Sequence, residues 1–396
     1  MTHEHPHSTP APARRLRRIA HAGLATVAGA AVFAVAVPTA GAQAQRPIGP
    51  QLQSVLDRAV RARATTFPGA ALYARVPGQR AWSGAAGRAS IDPSRPMRPG
   101  DRFRAGSIMK PFLAAATLQL VEEGRVKLDA RLPALLPASV LARFPEASQI
   151  TVRMLLDHTS GLADYTDGGF DSEVIADPKR RWTTGEFLDR TAALPRAGAP
   201  GERFNYSNAN YNLLGLILER ATGKPWRTVV RERIFEPLHL KHTSLPEPGD
   251  VPSGGDIAHG YELVDGRYVD VTDIDSSMAG AAGGNALLTS AEDLSRFLRA
   301  TVSGRLFRHK QTAREMRTFV AAHDENGLTG YGLGLERYLM PGGVEIIGHV
   351  GTAGGYRTVM FHLPAQDIDL TITMNQPDDL SPLLFPALKV LLAASR

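Results

Sequence analysis

Apolar residues at Leu52, Val55, Leu56, Ala59 and Val60 recur at helical spacing and predict an amphipathic helix. Two short apolar runs follow, Gly69–Val76 and Arg80–Gly87, separated by Pro77-Gly78, a pattern that predicts a β-hairpin. A helix beginning near Ser107 runs to about Glu123 and stops at Gly124. From there to about residue 300 the signals are helical or loop-like: Val152–Leu156, Thr184–Ala193 with acidic Glu186 early, and apolar Leu213–Ala221 stopped by Gly223. Ser290-Ala291-Glu292-Asp293 resembles a capping box and opens a helix over Leu294–Val302. Strand character returns late, over Gly332–Leu339, Val344–Gly348, Gly355–His362 and Asp369–Met374, separated by Gly or Pro turns. Leu383, Leu384, Leu388, Leu391 and Leu392 predict a last amphipathic helix, interrupted by Lys389 and too short to span a membrane.

Strands at both ends with helices between predict one sheet assembled from distant segments, with a cleft where the inserted helical region meets it. The expected catalytic domain is 51–396, with its sheet region about 51–106 and 303–396 and its helical region about 107–302.

The N-terminus reads differently. Arg14, Arg15, Arg17 and Arg18 precede an apolar run of 19 residues from Ile19 to Val37. Small-residue sites follow, Ala40-Gly41-Ala42 and Ala42-Gln43-Ala44. This is the layout of an export signal over 1–42, with a flexible linker over 43–50 and a secreted, extracytoplasmic mature chain. An uncleaved anchor has the length to compete, but an Ala/Gly-rich run supplies little transfer energy, so no stable anchor is expected after cleavage. The paired arginines permit a twin-arginine route.

Composition narrows the chemistry. The chain has 396 residues, 43% hydrophobic, with a formal charge of +6 that falls by three when Glu4 and the four arginines leave with the signal. No run of basic residues interleaved with aromatics points to nucleic acid. Cysteine is absent, which excludes disulfides, a thiol nucleophile and thiolate metal sites. There is no Gly-x-Ser-x-Gly elbow and no His-Glu-x-x-His, and no cofactor or metal is expected.

Ser107 and Lys110 carry the strongest candidate chemistry. Three residues apart on a first helical turn they share a face, so the amine can reach the hydroxyl. Serine needs such a neighbour to act as a nucleophile, and lysine must be desolvated to act as a base. Pro111 lacks an N–H, which suits a first turn and places Ser107 at the helix start. Tyr206-Ser207-Asn208 and His349-Val350-Gly351 complete the set.

Phe103-Arg104-Ala105-Gly106-Ser107-Ile108-Met109-Lys110, Leu155-Leu156-Asp157-His158-Thr159-Ser160-Gly161-Leu162, Phe204-Asn205-Tyr206-Ser207-Asn208-Ala209-Asn210-Tyr211 and His349-Val350-Gly351-Thr352 resemble the penicillin-binding serine hydrolases. That group comprises class C β-lactamases, low-molecular-weight DD-peptidases and related esterases and D-amino-acid amidases. Within it the chain is most similar to secreted D-alanyl-D-alanine carboxypeptidases, which carry His in the third motif. The resemblance implies a β-lactamase/transpeptidase-like α/β (α+β) fold, an antiparallel sheet flanked by N- and C-terminal helices with an inserted, mainly helical region. It implies Ser107 as the acylated nucleophile, Lys110 as its proton acceptor and Tyr206 as the phenol that shuttles the proton. It further implies that Asn208, His349, Gly351 and Thr352 bind substrate, with the amides of Ser107 and Thr352 forming the oxyanion hole. The implied partners are a peptidoglycan stem peptide or another small D-amino-acid-containing or ester substrate, with β-lactams as covalent inhibitors.

Tyrosine ionises near 10, and Lys110 with a protonated His349 would lower that value. His158 is expected to pack or hydrogen-bond within a turn in a structural role, and His239 and His242 to belong to a structural turn rather than a metal. Arg357 is open between surface and substrate. Two positions depart from the carboxypeptidase pattern: Val350, where a Thr commonly helps hold the substrate carboxylate, and Glu336, where an Arg can stand. Losing a partner for a carboxylate costs about 1.5–3 kcal/mol. A class C-like β-lactamase, an esterase and a D-amino-acid amidase therefore stay open beside D-Ala release, with an inactive peptidoglycan-binding module as the non-enzyme alternative.

Overall fold

The computed structural model describes residues 47–62, 68–252, 254–323, 327–340 and 342–395. The expected signal, 1–42, and residues 43–46 of the expected linker lie outside them. Helix α1 (Ile48–Ala62) buries Ile48, Leu52, Val55, Leu56 and Ala59 along one stripe. It begins inside the stretch read as linker: Ile48, Gly49 and Pro50 form its first turn, where a proline needs no intrahelical acceptor.

The strands are β1 (Gly69–Arg75), β2 (Trp82–Ser90), β3 (Arg95–Pro96), β4 (Phe103–Arg104), β5 (Tyr261–Val264), β6 (Arg267–Asp270), β7 (Leu288–Thr289), β8 (Val320–Ala321), β9 (Leu328–Tyr331), β10 (Glu336–Met340), β11 (Val344–Ala353), β12 (Tyr356–Leu363) and β13 (Ile368–Met374). Among the described residues, nine form one antiparallel sheet in the order β3-β2-β1-β13-β12-β11-β10-β9-β8. β1 and β2 make the expected hairpin, with Gly78 at φ 75° in its turn. The run Gly332–Leu339 is not one strand as its apolar character predicted. The chain folds back between β9 and β10, Gly332 N–H donating to Leu335 O at 2.7 Å, with Gly334 at φ 86°. Only glycine takes that conformation without strain. The region expected to be helical also holds the hairpin β5–β6.

Four further helices place the site: α2 (Met109–Glu122), α3 (Asn208–Thr222), α4 (Ala291–Val302) and α5 (Ser381–Ala394). Gly124 and Gly223, both at φ 71°, end α2 and α3 as their sequence positions predicted. Ser290 caps α4 by accepting Asp293 N–H. Two cores lie on either face of the sheet. Ile347 and Met360 join the inner one with α2, while Ile346 and Val359 join the outer one with α1 and α5, as the two-residue strand period requires. Every residue from Met109 to Leu118 is buried, so α2 runs through the middle of the molecule. Phe112 stacks on Phe297 of α4 with ring centroids 3.6 Å apart. No helix of the described residues is long and apolar enough to cross a membrane.

Candidate active site

Ser107 sits on a single 3₁₀ turn, Gly106–Ile108, that leads into α2. Two glycines let this turn press against β11. Gly106 has φ 57°, and a Cβ there would stand 2.3 Å from Thr352 O; a Cβ on Gly351 would stand 2.0 Å from Ala105 O. No side chain fits at either position.

Lys110, the second residue of α2 and one turn past Ser107, is fully buried. Its Nζ lies 2.9 Å from Ser107 Oγ, 2.7 Å from Asn208 Oδ1 and 2.9 Å from Ala282 O. Burial brings its pKa down to about 7, against the carboxylates of Asp164 and Glu336, which hold it up. In the neutral amine the two N–H groups serve the carbonyl oxygens of Asn208 and Ala282. The remaining lone pair then faces the Ser107 hydroxyl.

Asn208 opens α3, and its amide is engaged at both ends: Oδ1 by Lys110, and Nδ2 donating to Asp164 Oδ2 at 2.8 Å. Tyr206, two residues earlier, is hydrogen-bonded with the Ser107 side chain, and Lys110 Nζ lies 4.9 Å from its ring centroid. The expectation that neighbouring cations lower its pKa is corrected here. Burial pushes the phenol well above its ordinary value, and the carboxylates of Glu336 and Asp164 add to the rise. At neutral pH Tyr206 keeps its proton.

His158 hydrogen-bonds beyond its own turn. It is fully buried at φ 60°, and its Nδ1 accepts from Ser207 N at 3.1 Å and from Asn210 Nδ2 at 3.0 Å. Burial, with Lys110 and His349 nearby, holds its ring well below the usual imidazole range. It is neutral, with its proton on Nε2.

His349 lies on β11 with its ring fully buried. Its Nε2 is 2.9 Å from Tyr331 Oη, its Nδ1 2.6 Å from Val350 O and 3.5 Å from Glu336 Oε1. Tyr331 stands edge-on to the rings of both Tyr206 and His158. Thr352 pairs with Arg357 across β11 and β12, and Arg357 Nη1 donates to Thr352 Oγ1 at 3.4 Å. Arg357 is 4% exposed, which removes the surface reading. Val350 packs into the outer core, and its N–H donates to Glu336 Oε2 at 2.7 Å.

The structure thus brings Ser107, Lys110, Tyr206 and Asn208 into one hydrogen-bonded group beside Gly351 and Thr352, with His349 behind Tyr331. Sequence reasoning missed Asp164 and Tyr331. A carboxylate inside the apolar stretch Leu162-Ala163-Asp164-Tyr165 was the available signal, since a buried acid needs a partner.

A family model described as Beta-lactamase matches residues 56–394. Esterase EstB of Burkholderia gladioli is 31% identical over 291 residues, covering 66% of this chain and 72% of the esterase. Penicillin-binding protein 4 of Amycolatopsis lactamdurans is 30% identical over 286 residues, covering 69% of this chain and 72% of that protein. The crystal structure of a D-stereospecific amidohydrolase from a Streptomyces species superimposes with a TM-score of 0.74 at 32% identity, covering 85% of this chain and 97% of the other.

Proposed function

The chain belongs to the beta-lactamase family of serine hydrolases, and on that footing we propose that it hydrolyses ester and amide bonds of small D-amino-acid-type substrates through an acyl-enzyme on Ser107. The observation that carries this reading is the buried Lys110 amine, 2.9 Å from the Ser107 hydroxyl with its other contacts made to carbonyl oxygens. Lys110 takes the hydroxyl proton as Oγ bonds to the substrate carbonyl carbon. The amides of Ser107 and Thr352 receive the developing oxyanion. Val350 N–H leaves β11 on the side of Glu336, and strand alternation sends Thr352 N–H to that same side. Tyr206, protonated in the resting site, gives its proton to the departing alcohol or amine, and the proton held by Lys110 replaces it. Water then attacks the acyl-enzyme by the reverse route and releases the acid. Asn208 anchors Lys110, Gly351 lets β11 approach the Ser107 turn, and His349 stands behind Tyr331.

A similar solved protein is D-stereospecific, and similar curated proteins are an esterase and a penicillin-binding protein, which supports this substrate range. A D-alanyl-D-alanine carboxypeptidase acting on peptidoglycan stem peptides is the second reading, favoured by His349 in the third motif. We propose also that the mature protein is exported, on the signal-like residues 1–42; N-terminal sequencing of extracellular protein tests this. Intact mass after exposure to a p-nitrophenyl ester and to penicillin tests the enzyme. An acyl adduct on the native chain that is absent from Ser107→Ala is expected. No adduct from any acylating probe would mean a binding module instead.

A further inference from the structure

The β10–β11 ladder ends at the pair Glu336↔Gly348, whereas β11 continues to Ala353, paired only with β12. Beyond that end the amides of Val350 and Thr352 project from a strand edge next to the Ser107 turn. An extended substrate, or a carboxylate just past the scissile bond, would bind such an edge through its N–H groups. Here the Val350 N–H is already taken by Glu336 Oε2 at 2.7 Å, the same oxygen that accepts from Tyr338 Oη at 2.8 Å. Glu336 is 8% exposed, so its carboxylate is held in place on the protein side of the edge. Its charge reaches the site, where it acts on both Lys110 and Tyr206.

The nearby cations do not reverse that sign. Lys110 is buried under Ser107 with its amine turned to Asn208 and Ala282, Arg357 faces Glu336, Asp378 and Asp379, and the ring of His349, with Nδ1 3.5 Å from Glu336 Oε1, is fully buried behind Tyr331. Val350 supplies no hydroxyl. A leaving group bearing a carboxylate would meet an occupied N–H and a like charge, whereas an uncharged alcohol or amine meets neither penalty.

We infer that Glu336 is a specificity-determining residue that selects acyl donors with uncharged leaving groups and disfavours those ending in a carboxylate. The inference rests on the reading of Ser107 as the nucleophile, and it argues against D-Ala release as the main activity.

The test uses a matched pair with one acyl group, N-acetyl-D-alanine esterified to glycolamide or to glycolate. The wild-type full chain should prefer the glycolamide ester by about 10–100-fold in kcat/KM, the size of a like-charge contact at a half-buried edge. Glu336→Gln keeps one oxygen to accept from Val350 N–H and Tyr338 Oη, removes the charge, and puts an amide NH2 where Oε1 stands 3.5 Å from His349 Nδ1. It should shrink that preference to within about threefold and speed acylation by penicillin, which carries a carboxylate. Because the readout is a ratio, a general loss of activity cancels. If Glu336→Gln does not fold, the wild-type preference still decides. Equal rates for the two esters in the wild type, or an unchanged ratio in the variant, would overturn the role of Glu336 while leaving Ser107 acylation standing. Absence of any adduct on Ser107 would overturn the underlying reading instead.

Discussion

The ring of His158 lies over that of Tyr206, with centroids 4.3 Å apart and planes at 26°, and its Nδ1 holds the amide of Ser207, the residue after the tyrosine. One neutral imidazole therefore fixes both the ring plane and the peptide of the phenol that touches Ser107. We expect His158→Phe, which keeps a stacking ring but loses the acceptor, to lower kcat by about 10–100-fold with little change in KM, since small misplacements of a reacting group cost that much. His158→Asn retains an acceptor and tolerates the left-handed backbone, so it should recover most of the loss. A purely structural role would make the two variants equally damaging, as melting curves beside the kinetics would show.

Lys110 sets the acid side of the activity profile. A lysine brought down to about 7 loses its proton as pH rises through that value, and only the neutral amine can take the serine proton. kcat/KM for a neutral ester should rise through about pH 7 and level off above it. Lys110→Arg, charged throughout, should lose at least about a thousandfold. A flat profile from pH 5 to 9 would remove Lys110 from the role of base.

Asp164 tests the electrostatics separately. Its carboxylate holds the Lys110 value up, so removing the charge lets that value fall further. Asp164→Asn keeps an acceptor for Asn208 and should move the rising limb to lower pH. Movement to higher pH would mean that the variant disturbs packing rather than charge.

The close approach of the nucleophile turn to β11 is the fourth target. Gly351→Ala places a methyl 2.0 Å from Ala105 O, and neither backbone can yield without parting the two amides proposed for the oxyanion hole. We expect about 1–3 kcal/mol of destabilisation in urea and a fall in acylation of about a hundredfold. Wild-type acylation in this variant would mean that the contact does not shape the site.

Much of this was legible in the sequence because the signals are local. The Ser107–Lys110 spacing on a first helical turn, the glycines ending α2 and α3, and the hairpin around Gly78 all depend on residues within a turn or two of each other. What failed depends on distant chain. Gly332–Leu339 kept its apolar character through a reversal, because Leu333 and Leu335 face the core from the turn itself. The pKa direction of Tyr206 follows from how deeply it is buried, which charge counting alone does not supply. Glu336 was visible as a departure, but its hold on Val350 arises from where the β10–β11 ladder stops.

In the sheet, β1 is held between β2 and β13, with Ala70 opposite Met374. Ser107 comes from the first third of the chain and the strand it presses on from the last seventh. Until those late strands arrive, the turn carrying Ser107 lacks the strand it presses on and the Thr352 amide proposed to meet the oxyanion. The nucleophile's full setting is thus assembled from both ends of the chain and is complete only when the fold is complete.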